Sequence, residues 1–295
     1  MIEQKHRRFP LYGLAGMLII LAAELFLFAG NVWVGTYFTP LVWTGYIIFV
    51  DALVAARKGE SPLSSRRREL VFLVPISIVT WYAFEGLNLV LKNWSYVNLP
   101  PTAAGRWLGY AWSYATISPA VFVTAELIES VVGERLRGRI PRAFGRKTET
   151  AFFFAGLSLI VIVLLFPSPW LAPLPWIGAL LLFEGMNDRL GIGSFSRMFR
   201  AGDYALFVSL LISGAICGIL WESWNFRALA KWNYNVPYLP GVRLFEMPVL
   251  GYLGFPPFAL ECYLMYRFIR YLTPCRLTAD VLDRQWNVTP PGEAP

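Results

Sequence analysis

The chain has 295 residues, of which 56% are hydrophobic and only 15% are charged. This composition is typical of a polytopic membrane protein and disfavours a soluble globular domain. We attribute the formal net charge of +7 to membrane topology, so no nucleic-acid partner is expected. The single histidine, His6, lies in a basic tail, which disfavours histidine-based zinc sites and Ser-His-Asp hydrolysis. The sequence therefore predicts a protein of the lipid bilayer with no metal and no other cofactor.

The apolar runs predict an all-α bundle of about eight transmembrane helices. Each run is roughly 20 residues long, which is the length that a helix needs to cross the hydrocarbon core. The predicted spans are 11–30, 36–56, 70–91, 108–131, 150–167, 170–187, 203–226 and 247–271.

The basic residues predict the orientation, because short cytoplasmic loops retain Lys and Arg. With both termini in the cytoplasm, 21 of the 26 Lys and Arg lie inside and 5 lie outside. The outer loops hold Lys92, Arg106, Arg227, Lys231 and Arg243. We therefore expect a multi-pass protein of the inner (cytoplasmic) membrane, and the sequence leaves its oligomeric state open.

The two halves of the chain share a pattern that indicates an internal duplication. "VWTGYIIFVDAL" at 42–53 matches "PWIGALLLFEGM" at 175–186, and "WYAFEGLNLVLKNWSYVNLP" at 81–100 matches "WESWNFRALAKWNYNVPYLP" at 221–240. Four spans in each half make the repeats parallel, with a pseudo-axis along the membrane normal. The predicted organisation is a first repeat at 1–131, a basic cytoplasmic linker at 132–149, a second repeat at 150–277 and a disordered cytoplasmic tail at 278–295.

Acidic side chains recur inside the predicted spans. A Glu and an Asn three residues apart share a helix face, and the pairs are Glu85 with Asn88, Glu184 with Asn187, and Glu222 with Asn225. An ionisable side chain at the bilayer centre costs roughly 2.5 to 3.5 kcal/mol. Because no Lys or Arg lies in the centre of a predicted span, we expect these acids to be neutral proton donors that the Asn side chains orient.

Depth in the membrane separates the acids by role. Glu85 and Glu222 in the outer half, and Glu126 and Glu261 nearer the middle, are the candidates for catalysis, together with Asn88 and Asn225. Asp51, Glu184 and Asn187 lie near the cytoplasmic ends, where a structural or gating role is expected. The alternative for each acid is a hydrogen bond that holds the helices together.

Aromatic residues surround the outer acids. They are Trp81, Trp94, Tyr96, Trp221, Trp224, Trp232 and Tyr234. One interpretation is an interfacial aromatic belt. The other is a substrate-binding wall, because an aromatic face stabilises a carbocation while an apolar wall excludes water. Beside proton donors, the second interpretation suggests acid-initiated chemistry on a polyene.

The combination resembles the membrane-embedded, two-repeat lycopene cyclase domain. The matching residues are Trp81, Glu85, Trp94, Tyr96, Pro119 and Glu126 in the first half, and Trp221, Glu222, Trp232, Tyr234, Pro256 and Glu261 in the second. The resemblance implies a redox-neutral cyclisation of a carotenoid or other isoprenoid lipid, with the four glutamates as acid and base. Two adjacent acids usually follow the proline in this family, but they are missing from "SPAVFVTAELIE" and "FPPFALECY". Each half also has an extra leading helix. The predicted function is therefore widened from a lycopene cyclase to a cyclase or hydratase of isoprenoid lipids.

Two other classes of function fit the same pattern. Parallel repeats with acids at mid-membrane also suit a small proton- or cation-coupled transporter. A non-catalytic scaffold subunit would need the acids only for helix packing.

Overall fold

The computed structural model describes residues 8–138 and 146–273, and about 75% of it is helical. The α-helices of the described residues are α1 (Tyr12–Phe28), α2 (Val32–Thr36), α3 (Phe38–Lys58), α4 (Arg67–Leu91), α5 (Ala103–Leu136), α6 (Arg146–Leu165), α7 (Leu174–Leu190), α8 (Phe195–Arg200), α9 (Ala205–Arg227) and α10 (Phe255–Leu272). The short strands are β1 (Trp94–Val97), β2 (Lys231–Tyr234), β3 (Arg243–Leu244) and β4 (Met247–Pro248).

Five described helices are long and apolar enough to cross a membrane, namely α3, α4, α5, α6 and α9. Helix α1 is apolar as well, but it has only 17 residues. Each of the eight predicted spans overlaps one long helix of the structure. The structure thus agrees with a helical membrane protein.

Helix boundaries differ from the predicted ones in two places. Helix α5 continues to Leu136 and α6 begins at Arg146, so helix occupies both ends of the predicted linker at 132–149. The predicted span at 247–271 begins with strand β4, continues as a 3₁₀ helix and becomes α-helical only at Phe255. Two prolines fill the first turn of that helix, where a missing N–H costs nothing. The tail at 278–295 lies outside the described residues.

Glycines let the outer helices of each half approach closely. A Cβ atom on Gly16 of α1 would lie 2.6 Å from the backbone oxygen of Gly45 on α3. A Cβ atom on Gly156 of α6 would lie 2.5 Å from the backbone oxygen of Gly178 on α7. Small residues at such crossings allow backbone contact between membrane helices. Gly45 and Gly178 are also equivalent positions when the sequences of the two halves are aligned.

The inner helices of the two halves interlock. Helix α5 packs against α3 and α4, and α10 packs against α7 and α9. Helix α5 also contacts α9, and α10 contacts α4, so each half packs against the other. The main buried cluster includes Phe38, Val42, Leu210 and Leu264, which come from both halves. This packing fixes the ends of α4 and α9, where the candidate site lies.

The Gly16 crossing yields a stability prediction. We expect Gly16→Ala to lower the free energy of unfolding by about 1 to 3 kcal/mol, because the new methyl group meets backbone atoms that cannot move aside. Thermal unfolding of the purified protein in detergent measures the change. The matched control is Gly86→Ala in α4, where a Cβ atom meets nothing within 4 Å, and here we expect unchanged or higher stability. Equal effects of the two substitutions would contradict the tight crossing.

Candidate functional site

The centre of the candidate site is a two-stranded antiparallel sheet that joins the halves. Strand β1 follows α4 and strand β2 follows α9. Their register pairs Trp94 with Tyr234 and Tyr96 with Trp232. Because side chains alternate along a strand, these four aromatic residues share one face of the sheet. The strands were not predicted from the sequence, whereas the aromatic residues were.

Two asparagines hold the strands in place. The side-chain amide of Asn88 donates to the backbone oxygen of Trp94 at 2.9 Å, and its oxygen accepts from the backbone N–H of Trp94 at 3.2 Å. Asn225 makes the same two contacts with the backbone of Trp232, at 2.9 and 3.0 Å. The expectation that these amides orient the neighbouring acids is therefore corrected, since they bind backbone groups of the strands.

Glu85 accepts hydrogen bonds from four side chains at a single oxygen, Oε1. The donors are the indole nitrogens of Trp81 at 2.9 Å and Trp94 at 3.2 Å, and the hydroxyls of Tyr96 at 2.5 Å and Tyr114 at 3.2 Å. An ionised carboxylate only accepts hydrogen bonds, so this donor set suits the charged form. The neutral form expected from the sequence stays a prediction.

Glu222 occupies the corresponding position in the second half but has fewer partners. Its Oε1 accepts from the Tyr234 hydroxyl at 2.7 Å, and that hydroxyl oxygen accepts from the Trp232 indole at 2.8 Å. Its Oε2 is buried and has no partner among the described residues. The side chain is 0% exposed. The two equivalent glutamates therefore differ in environment.

The strand tyrosines stay protonated. Burial raises the pKa of Tyr96 well above its usual range, and the neighbouring Tyr114 and Glu85 raise it further. Burial likewise raises the pKa of Tyr234, and Glu222 adds to the effect. At neutral pH both hydroxyls are consequently hydrogen-bond and proton donors.

An apolar cavity of about 560 Å³ lies against these tyrosines. This volume is in the range of small-molecule binding sites. Its aromatic lining includes Trp43, Trp81, Trp94, Tyr96, Tyr110, Tyr114, Trp176, Trp221, Trp232, Tyr234 and Phe258. Glu85 and Glu222 do not line the cavity but contact residues that do, so tyrosine hydroxyls separate each acid from the space that a ligand would occupy.

Some of the lining residues were missed by the sequence analysis. Tyr110 and Tyr114 lie four residues apart on one face of α5, and Trp176 comes from α7. The spacing of the two tyrosines was a readable signal, because residues four apart on a helix share a face. For Trp176 the signal was the repeat, which pairs it with Trp43, and both residues line the cavity.

Trp224 was predicted to bind substrate, but the structure places it in the core. It is only 6% exposed and does not line the cavity. Its ring packs against Trp43 at 4.9 Å and Tyr46 at 6.0 Å between centroids. Trp221, three residues earlier, lies on the cavity wall instead.

Glu126 lies in an ion cluster rather than near the cavity. Its carboxylate contacts the Lys58 ammonium and the Arg66 guanidinium, each at 2.6 Å. It follows Tyr114 by twelve residues, or about 18 Å along α5. The prediction that no basic residue compensates the acids is wrong here, because Lys58 and Arg66 flank the connection between α3 and α4 and reach Glu126 from there.

Glu261 is the most isolated of the predicted acids. It is 0% exposed, and neither carboxyl oxygen has a partner among the described residues. It does not line the cavity, although Pro257 and Phe258, one turn earlier on α10, do. A catalytic role for Glu261 stays a prediction.

Asp51 and Glu184 bind the connections that follow α3 and α7, and Asn187 binds α10. Asp51 accepts hydrogen bonds from the hydroxyls of Tyr12 and Ser61 and from the backbone N–H of Leu63. Glu184 accepts from the backbone N–H groups of Phe195 and Ser196. Asn187 donates to the backbone oxygen of Leu264. A gating role for these residues stays a prediction.

The asparagine contacts yield a second prediction. We expect Asn88→Ala or Asn225→Ala to speed hydrogen exchange at the amides of β1 and β2. Each substitution should also lower the free energy of unfolding by about 1 to 3 kcal/mol, because backbone groups of the strands lose their hydrogen-bond partners. Amide hydrogen exchange followed by mass spectrometry measures the opening of 94–97 and 231–234. Ser95→Ala, on the exposed face of β1, is the control and should leave exchange unchanged. Unaltered exchange in the asparagine variants would disprove the anchoring role.

Glu126 gives a third prediction, which separates the sequence-based role from the observed one. We expect Glu126→Gln to lower the free energy of unfolding by roughly 1 to 3 kcal/mol, because two partly buried cations lose a counter-charge. Thermal unfolding in detergent measures this loss, and ligand binding in the cavity should not change. Intact stability combined with lost turnover would restore the catalytic assignment.

Comparison of the chain with protein-family models, with curated proteins and with solved structures finds no match. The resemblance to the lycopene cyclase domain thus rests on the sequence motifs alone. A function is inferred below from the chemistry of the residues around the cavity.

Proposed function

We propose that the chain is a multi-pass protein of the inner membrane, with eight transmembrane helices in two parallel four-helix repeats and both termini in the cytoplasm. The equivalent glycine crossings at Gly45 and Gly178 support the duplication. The antiparallel pairing of β1 with β2 brings the equivalent loops together, as a two-fold pseudo-axis between the halves would do.

On this scaffold we propose a cyclase-like enzyme that acts on a carotenoid or other isoprenoid lipid by intramembrane acid/base catalysis. The observation that carries the proposal is the layered wall of the cavity. Two equivalent glutamates, Glu85 and Glu222, each bind a strand tyrosine, and both tyrosines line the same apolar aromatic space. Proton donors and aromatic faces around a water-poor cavity are what a carbocation reaction needs.

Glu222 is the proposed acid. Its Oε2 has no partner among the described residues, so a proton carried on that oxygen displaces no existing hydrogen bond. When the proton is carried on Oε1, the 2.7 Å hydrogen bond is reversed and the acid donates to the Tyr234 oxygen. The Tyr234 hydrogen is then available to the cavity. Tyr234 passes a proton to the substrate and regains one from Glu222.

Glu85 is the proposed counter-charge and final base. Its four donors stabilise the anion, and a negative charge behind Trp81, Trp94 and Tyr96 stabilises a positive charge in the cavity. The proton that leaves the product is taken up by Tyr96 or Tyr114, which passes its own hydrogen to Glu85. Two carboxyl groups in different environments thereby take opposite roles.

The reaction is an isomerisation and needs no oxidant or reductant. The electron pair of a terminal double bond takes the proton and forms a C–H bond, which leaves a cation on the neighbouring carbon. The electron pair of a second double bond closes the ring and moves the cation. Loss of a proton next to that cation restores a double bond. Capture of the same cation by water would make the enzyme a hydratase.

Proton-coupled transport is the second candidate, and Glu261 favours it. A fully buried carboxyl group without a partner among the described residues is a natural proton carrier in a membrane protein. Glu261→Gln would abolish proton flux in liposomes if the chain is a transporter. If the chain is a cyclase, the wild-type protein in liposomes shows no proton flux.

The fourth prediction tests the acid pair directly. We expect Glu222→Gln and Tyr234→Phe each to reduce product formation by 10²- to 10⁴-fold, because general acid help is lost. Mass spectrometry of isoprenoid lipids, from cells that express each variant and from purified protein, measures the product.

The matched controls for this experiment are Glu134→Gln and Tyr271→Phe, which change exposed side chains of the same types. Both should retain full turnover. An unchanged lipid profile in Glu222→Gln cells that accumulate the protein normally would reject the enzyme. Loss of protein in place of loss of turnover would favour the scaffold interpretation.

A further inference from the structure

Arg106 introduces a positive charge into the wall of the apolar cavity. It lies in the second turn of α5, is partly buried and lines the cavity beside Tyr110. Its Nη1 atom donates to the backbone oxygens of Pro100 and Pro101, at 3.1 and 3.0 Å. These contacts fix the guanidinium group, and Nε and Nη2 have no hydrogen-bond partner within the described parts of the chain.

Other basic residues near the cavity are neutralised, whereas Arg106 is not. Lys231 also lines the cavity, but it pairs with Glu246 at 2.5 Å. Arg227, at the end of α9, pairs with Glu24. No carboxylate lies within ion-pair distance of Arg106 in residues 8–138 and 146–273. A partly buried charge without a counter-charge is unfavourable, so an anion that binds there is stabilised.

We propose that Arg106 binds the anionic head group of the ligand, a phosphate or a carboxylate, while the apolar isoprenoid chain occupies the aromatic part of the cavity. This inference rests on the proposed function and narrows its substrate to an amphiphilic isoprenoid. A planar guanidinium group with two free donor nitrogens matches the paired oxygens of both head groups.

The helix sets the distance between head group and reacting double bond. Arg106, Tyr110 and Tyr114 follow one another at intervals of four residues, so they lie along one face of α5. Tyr114, which contacts Glu85, is about 12 Å along the axis from Arg106. The rings of Tyr110 and Tyr114 stack at 5.8 Å between centroids and form the wall between the two ends. The head group is therefore an anchor and not the leaving group.

A binding experiment with three probes of one chain length tests the proposal. Farnesyl phosphate, farnesoic acid and farnesol are titrated into the full chain in neutral detergent, and quenching of tryptophan fluorescence reports occupation of the cavity. For the wild-type protein we expect at least one anionic probe to bind tenfold or more tightly than farnesol. The stronger of the two anionic probes identifies the head group.

Variants at position 106 assign the preference. We expect Arg106→Gln to lose the tenfold preference while farnesol binds as before, and Arg106→Lys to retain part of it. The control is Arg68→Gln, which changes an exposed arginine outside the cavity and should leave all three affinities unchanged. Should Arg106→Gln fold poorly, the wild-type protein is titrated at high salt instead. Added salt should weaken the binding of the anionic probes and leave the binding of farnesol unchanged.

Each outcome decides the proposal without reference to turnover. The proposal is overturned if the wild-type protein binds all three probes with equal affinity or binds none of them. It is also overturned if Arg106→Gln keeps the full preference for an anionic probe. Preference for an anion together with an unchanged lipid profile in Glu222→Gln cells would keep the head-group site and reject the enzyme. Conversion of a neutral lipid by a protein that shows no preference for anionic probes would keep the enzyme and reject the head-group site.

Discussion

The candidate site depends on the pairing of β1 with β2. This sheet is only four residues long, yet it connects the loop after α4 with the loop after α9 and brings both strand tyrosines to one wall. Two strands alone are marginally stable in water. Here Asn88 binds the backbone N–H and oxygen of Trp94 in β1, and Asn225 binds those of Trp232 in β2. The aromatic wall is consequently held by amide side chains that belong to the helices themselves.

The pseudo-symmetry of the site is incomplete, and part of the reason lies in α10. Tyr114 on α5 supplies Glu85 with a fourth donor. If Glu126 corresponds to Glu261, as the sequence suggests, the position that corresponds to Tyr114 is Val249. That residue lies in the 3₁₀ turn before α10, because the helix starts only at Phe255, ahead of the two prolines. Glu222 thus lacks the donor that Glu85 has, and one duplicated carboxyl group can differ from its counterpart in protonation.

The sequence predicted the elements that local pattern determines, and it failed where long-range packing decides. The eight apolar runs all correspond to helices, and Trp81, Trp94, Tyr96, Trp221, Trp232 and Tyr234 all line one cavity. By contrast, Glu126 was placed among the reactive acids because its partners lie 60 and 68 residues away in the chain. Trp224 and Trp221 stand three residues apart, and only the packing of α9 shows which of them faces the core. The strands escaped notice because the alternation of aromatic and polar residues in each of them covers only three or four residues, which is too short to identify a strand.

The layer of tyrosines between acids and cavity has a chemical consequence. A carboxylate in direct contact with a carbocation would combine with it to form an ester, whereas a tyrosine hydroxyl with a raised pKa is a weaker nucleophile and still transfers a proton. In the proposed reaction, Tyr96 and Tyr234 therefore separate the carboxyl groups of Glu85 and Glu222 from the cation by one hydrogen bond. The indoles of Trp81 and Trp221 line the same space. In such a site the apolar ligand itself excludes water, so the tyrosine hydroxyls become the nearest groups that can give or take a proton.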